Sequence, residues 1–151
     1  MTLISYNKSF FSVLFLAAIL LVASCKDDDE YIPYVQVSFT IDLDKRNDMT
    51  ITGNSDYYEY AGYAGVIVVC IQYDVVSPSS SIYYAYDAAC TYEISKNCSV
   101  ISENNGVNAT CTCCGSEYTL FGGIPLSGDA SKPLKEYNVS VLNNRIHVYN
   151  Y

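Results

Sequence analysis

Residues 66–73 read VIVVCIQY, a run of apolar and β-branched side chains. A short run of this kind is a strand signal, and this one reads as a central strand. Cys70 within it reads as a small buried hydrophobe. The neighbouring segments carry the same bias in shorter pieces. Residues 35–41, VQVSFTI, alternate as a half-buried strand does. Residues 82–87 (IYYAYD) and 118–121 read as further strands. Turn residues separate them. Ser77 to Ser81 is a turn, and Gly122-Gly123 ends the strand before it. Asn104-Asn105-Gly106 is a strong hairpin signal between strands at 100–101 and 107–110. Asn143-Asn144, a pair that tolerates positive φ, joins strands at 137–142 and 145–149. Residues 49–52 are expected to form a short partner strand, and the Tyr- and Gly-rich 54–65 a loop. Long apolar 3.6-residue periodicity and internal repeats are both lacking. The expected fold is all-β, a small antiparallel sandwich or barrel.

The chain begins MTLISYNKSFFSVLFLAAILLVASC. Lys8 precedes an apolar run from Phe10 to Ala23 that only Ser12 interrupts, and Ala23 and Ser24 lead into Cys25. Residues 1–24 read as a secretory signal, short for a membrane span. Val22-Ala23-Ser24-Cys25 resembles a bacterial lipobox, which implies that Cys25 is lipidated and holds the chain to a membrane. KDDDE, Lys26 to Glu30, resembles the Lys-then-acid tether of surface-exposed lipoproteins of the Bacteroidetes. The organisation expected is a signal peptide (1–24), a lipidated Cys with an acidic tether (25–33) and one β domain (34–151). The expected location is the cell envelope, at the outer membrane or cell surface, with an envelope protein as partner. Sixteen acidic residues against eight basic ones give a net charge of −8. Such a surface does not bind nucleic acid by counterion release.

Six cysteines remain beside Cys25: Cys70, Cys90, Cys98, Cys111, Cys113 and Cys114. Outside the cytoplasm, disulfides are permitted. Cys111-Thr112-Cys113-Cys114-Gly115-Ser116 also has metal-knuckle spacing, with Cys111 and Cys114 able to reach one ion. Zinc takes four ligands, usually Cys or His. Cys90 is then the natural third and Cys98 a candidate fourth. No Gly-rich phosphate loop and no Ser/His/Asp arrangement is present, so enzyme chemistry is not expected. His147 reads as a surface strand residue. Tyr57, Tyr58, Tyr60 and Tyr63 read as packing over a sheet.

Three segments in order, Tyr84-Ala85-Tyr86-Asp87-Ala88-Ala89-Cys90-Thr91-Tyr92, then Cys111 to Tyr118, then GIPLSGDASKPLKEYNV from Gly123, resemble the Rieske [2Fe–2S] domain. The likeness runs from about Val66 to Val148 and implies a Rieske-like fold with electron-transfer or redox work. Rieske clusters take two Cys on one iron and two His on the other. Cys90 and Cys111 match the two Cys positions. Tyr92 stands at the first His position and Cys114 at the second, and the single histidine, His147, lies far along the chain. The resemblance further implies a disulfide bracing the two cluster loops. Cys113 fits one partner, Ser95 fills the other slot, and Cys98 follows three residues later. The readings left open are a [2Fe–2S] cluster on Cys90, Cys98, Cys111 and Cys114, zinc, or no cofactor. Tyr92 as an oxygen ligand suits soft iron–sulfur chemistry less well. Without a cofactor, Cys90 would pair with Cys111 or Cys114, and Cys98 with Cys113. The domain would then be a degenerate, disulfide-stapled structural or partner-binding module.

Overall fold

The computed structural model describes residues 31–151; the proposed signal segment, Cys25 and Lys26 to Glu30 lie outside the described residues. Ten strands follow in order: β1 Ser38–Asp42, β2 Ser55–Tyr58, β3 Val66–Gln72, β4 Ile82–Asp87, β5 Val100–Ser102, β6 Asn108–Cys111, β7 Glu117–Thr119, β8 Ile124–Ser127, β9 Glu136–Leu142 and β10 Arg145–Tyr149. A six-stranded sheet runs β1-β10-β9-β4-β3-β2, and a four-stranded sheet runs β5-β6-β7-β8. Every strand pairing is antiparallel. The fold is therefore all-β, as expected.

The small sheet is an insertion between β4 and β9. Those two strands pair through only Ala85–Tyr137 and Tyr86–Glu136. Just beyond them the Asp87 N–H donates to the Lys135 carbonyl at 2.8 Å, closing the neck of the inserted lobe.

Strand β3 explains its own composition. Val66, Val68 and Cys70 enter one core with Val37, Ile41, Leu43, Ile146 and Val148. Ile67 and Val69, on the opposite face, enter a second core with Val100, Ala109, Tyr118 and Leu120 of the inserted lobe. With both faces covered, the run needs no polar alternation. Each such side chain contributes about 1.5–3 kcal/mol when fully buried. Cys70 has no exposed surface, as expected, and burial pushes its thiol up.

Turn chemistry places the hairpins. Asn143 and Asn144 both take positive φ between β9 and β10, and Asn104 and Asn105 do so between β5 and β6. Four local expectations are corrected. Residues 49–52 do not form a strand. Asn47–Thr50 is a 3₁₀ turn, held by Thr50 Oγ1 donating to the Asn47 carbonyl at 2.7 Å, with Met49 buried. Residues 54–65 are not all loop, since Ser55–Tyr58 pairs with β3. Strand β8 arises where no strand was expected, because Ile124–Ser127 carries Pro125 and buries none of its side chains. Packing also starts before residue 34, since Ile32 is fully buried against Ala64 and Ala89.

Of the four tyrosines read as sheet packing, three are half-buried and Tyr60 is exposed. A groove of ≈ 570 Å³ is lined by Phe39, Arg46, Asp56 and Tyr57 to Ala61, with no cysteine among its walls. Among the described residues no helix is long and apolar enough to cross a membrane.

Candidate metal centre

Two loops of the inserted lobe carry the cysteines. The first, 88–99, leaves β4 and enters β5. Its base is closed by the Val100 N–H donating to the Ala88 carbonyl at 2.6 Å and by an isolated bridge between Ala89 and Ser99. The second, 112–116, joins β6 to β7. There the Gly115 N–H donates to the Cys111 carbonyl at 3.1 Å and the Cys111 N–H to the Ser116 carbonyl at 2.9 Å. The Thr112 N–H donates to the Ser99 carbonyl at 3.0 Å and ties the loops to each other. A disulfide between Cys98 and Cys113, with Cα atoms 5.3 Å apart, ties them covalently. This is the bracing bond that the resemblance implied, with Cys98 as the partner.

Cys90, Cys111 and Cys114 remain free thiols. Their three sulfurs all lie within 4.8 Å of one another, with Cys90 Sγ and Cys114 Sγ 3.6 Å apart. Cys90 and Cys111 are buried; Cys114 is partly exposed. The expected trio thus assembles. Cys98 does not join it, because the disulfide consumes its sulfur. The alternative pairing of Cys90 with Cys111 or Cys114 does not form either. Tyr92 is 55% exposed on the first loop. Glu93 approaches Cys98 and Cys113, not the trio.

Hydroxyls surround the trio. Ser116 is fully buried, and its Oγ lies 3.2 Å from Cys114 Sγ while accepting the Ala130 N–H at 3.1 Å. As a thiol Cys114 donates to Ser116 Oγ, and as a thiolate it accepts the serine proton. Gly128, just past β8, makes room for this serine. Its φ is +88°, and a Cβ there would fall 2.6 Å from Ser116 Cα. Tyr118 OH lies 3.6 Å from Cys90 Sγ. It accepts the Thr91 N–H at 3.2 Å and sits 3.0 Å from Thr91 Oγ1, which donates to the Lys132 carbonyl at 2.8 Å. Sequence reasoning took Tyr118 only as a strand residue. Its inward position in β7 becomes a signal once Cys90 is placed opposite.

The thiols differ in acidity. Burial pushes Cys111 up to about 11, more than the backbone amides of Cys114 and Cys113 pull it down. Burial also raises Cys114, but hydrogen bonds from Ser116 and the neighbouring thiols outweigh it, so the net direction is down. Burial pushes Tyr118 up to about 12.

A buried carboxylate fixes the base of the first loop. Asp87 accepts the Tyr63 N–H at 2.6 Å, the Ala64 N–H at 3.2 Å, the Ala89 N–H at 2.8 Å and the Tyr137 O–H at 2.6 Å.

The donor set does not fit a two-histidine cluster. The chain has one histidine. His147 lies in β10, its Nε2 3.3 Å from Ser38 Oγ and its ring stacked on Tyr149.

No protein-family model matches the chain, and no curated protein matches it. Solved structures do. The cyanobacterial plasma membrane Rieske protein PetC3 from Synechocystis PCC 6803 is similar at 25% identity and TM-score 0.50, covering 78% of this chain and 100% of that one. The ferredoxin of carbazole 1,9a-dioxygenase from Nocardioides aromaticivorans IC177 is similar at 16% identity and TM-score 0.47, covering 78% and 100%. The fold is Rieske-like.

Proposed function

We propose that this chain is a redox domain of Rieske type whose thiols, rather than imidazoles, hold a metal centre for electron transfer. The observation that carries the reading is the convergence of three free thiols, within 4.8 Å of one another, on the two loops at the tip of a Rieske-like fold. Cys90, Cys111 and Cys114 would bind as thiolates, and a bound iron centre would supply one-electron chemistry. The protein's part is to keep those sulfurs anionic and shielded. Ser116 Oγ lies against Cys114 and the Tyr118 hydroxyl against Cys90, and two of the three cysteines are buried. Tyr92 and Cys114 at the histidine positions support a thiolate centre over an imidazole-bearing one.

The domain acts in this reading as an electron carrier and not as an enzyme. The lipobox-like segment before Cys25 and the acidic tether support a lipid-anchored place in the cell envelope, facing an envelope redox partner. Spectroscopy of the purified full chain tests the central claim, together with metal analysis and a thiol count. Bound metal, with Cys90, Cys111 and Cys114 shielded from thiol reagents, is the expected result. Metal-free protein whose thiols react freely, or are oxidised to disulfides, would refute it.

A second reading has its own support. The Cys98–Cys113 disulfide already braces both loops without a metal. A metal-free result would therefore leave a disulfide-stapled structural or partner-binding module.

A further inference from the structure

We infer that the thiol site is built for a single thiophilic ion in tetrahedral geometry, and not for a two-iron cluster. The inference deepens the metal-centre reading above and rests on it. Three observations carry it.

The first is spacing. Tetrahedral thiolates about 2.3 Å from one ion place their sulfurs about 3.8 Å apart. Cys90 Sγ and Cys114 Sγ are 3.6 Å apart, and Cys111 Sγ lies within 4.8 Å of both. Ligands to the two irons of a [2Fe–2S] centre sit on opposite sides of the sulfide-bridged core. Cys114, at the position of a second-iron ligand, is instead drawn up against Cys90.

The second is restraint. The Cys98–Cys113 disulfide and the Thr112–Ser99 hydrogen bond hold the two loops at this separation. Ser116, wedged between Cys114 and the close approach of Gly128, limits outward movement of the second loop. These ties hold the trio assembled on both loops independently of any bound ion.

The third is donor type. Among the described residues no fourth His, Cys, Asp or Glu atom joins the trio. Three soft thiolates select zinc or iron over hard oxygen-seeking cations. Three protein ligands leave one coordination position, as in metal sites that keep an exchangeable ligand. Of the three cysteines Cys114 alone is partly exposed, which leaves it the one nearest solvent.

The test begins with the full-length protein purified without oxygen. Iron, zinc and acid-labile sulfide are counted per chain. The expected result is one iron ion and no sulfide; one zinc ion would keep the single-ion inference and overturn the electron-transfer reading, since zinc has no redox chemistry. The ion is then exchanged for Co²⁺, whose visible bands report geometry and thiolate ligation. One Co²⁺ per chain with intense tetrahedral bands is expected, and added imidazole should shift them through the open position. Cys114→Ser should weaken Co²⁺ binding by at least about tenfold, the loss expected when metal-site support is removed. Two irons with two sulfides per chain would overturn the single-ion inference and leave the metal-centre reading standing. An octahedral Co²⁺ spectrum, or unchanged Co²⁺ affinity in a folded Cys114→Ser variant, would overturn it as well. Protein isolated without metal that takes up no Co²⁺ after reduction would remove both. Stoichiometry in the unmodified protein decides the matter even if the variant fails to fold.

Discussion

Cys111 and Cys114 share a turn and titrate apart. Burial carries the Cys111 thiol to about 11, while hydrogen bonds leave Cys114 below its ordinary value of 9.0. A thiol reacts as its thiolate, so the fraction available grows as pH rises through each value. In metal-free protein with the Cys98–Cys113 disulfide intact, iodoacetamide should therefore label Cys114 before Cys111, with a rate midpoint below pH 9 for Cys114 and toward pH 11 for Cys111. Mass spectrometry of the labelled peptides across a pH series checks the order, and earlier labelling of Cys111 at neutral pH would contradict it. Ser116→Ala should raise the Cys114 midpoint, because it removes the hydroxyl that favours the thiolate. Asp87 is the other decisive residue. Asp87→Asn puts an amide among four donors and should lower stability on the order of 3 kcal/mol in urea unfolding. The cysteines were legible in the sequence because chemistry and spacing mark them. The Asp87 and Tyr118 networks were not, because their partners Tyr63, Tyr137 and Thr91 lie 24 to 50 residues away.

Among the elements, β3 and the terminal hairpin were legible for opposite reasons. Two-sided burial writes an unbroken apolar run, and a turn with positive φ writes Asn143-Asn144. Strand β2 was hidden by its tyrosines, which read as loop. Tyr57 is half-buried and donates to the Ala64 carbonyl at 2.9 Å, and Gly65 is left without a side chain because a Cβ there would meet the Tyr57 ring at 2.2 Å. The 35–41 strand was read too early by three residues, since β1 begins at Ser38. Ahead of it a side chain takes over the ladder. Asn150 accepts the Val37 N–H at 2.9 Å and donates to the Val35 carbonyl at 2.7 Å. Asn150→Ala should cost about 1–2 kcal/mol, read as a lower urea midpoint with an unchanged slope. An unaltered midpoint would mean that water replaces both bonds without loss.

Among the described residues two large cores share one wall, with a small third cluster around Ile32. Strand β3 faces both, so the lobes should unfold together in a single calorimetric transition. Val68→Ala and Val69→Ala, which truncate opposite faces of that wall, should each lower stability by about 2 kcal/mol while keeping one transition. Two separated transitions in either variant would show that the cores are independent. The disulfide closes a 15-residue loop, which in chain-entropy terms is worth about 3 kcal/mol. Replacing both Cys98 and Cys113 with Ala should cost about that much in denaturant unfolding.

The neck at Asp87 and Lys135 has a consequence for descent. The inserted lobe leaves and re-enters the large sheet at neighbouring points, where the Asp87 N–H meets the Lys135 carbonyl at 2.8 Å and the Tyr137 O–H meets the Asp87 carboxylate at 2.6 Å. None of the large sheet's pairings uses a residue of the loops beyond that doorway. Substitutions that trade one donor atom for another, or lengthen the first loop by a few residues, leave the scaffold's pairing in frame. The chemistry at the loops and the walls that hold it are in this sense separable parts of one chain.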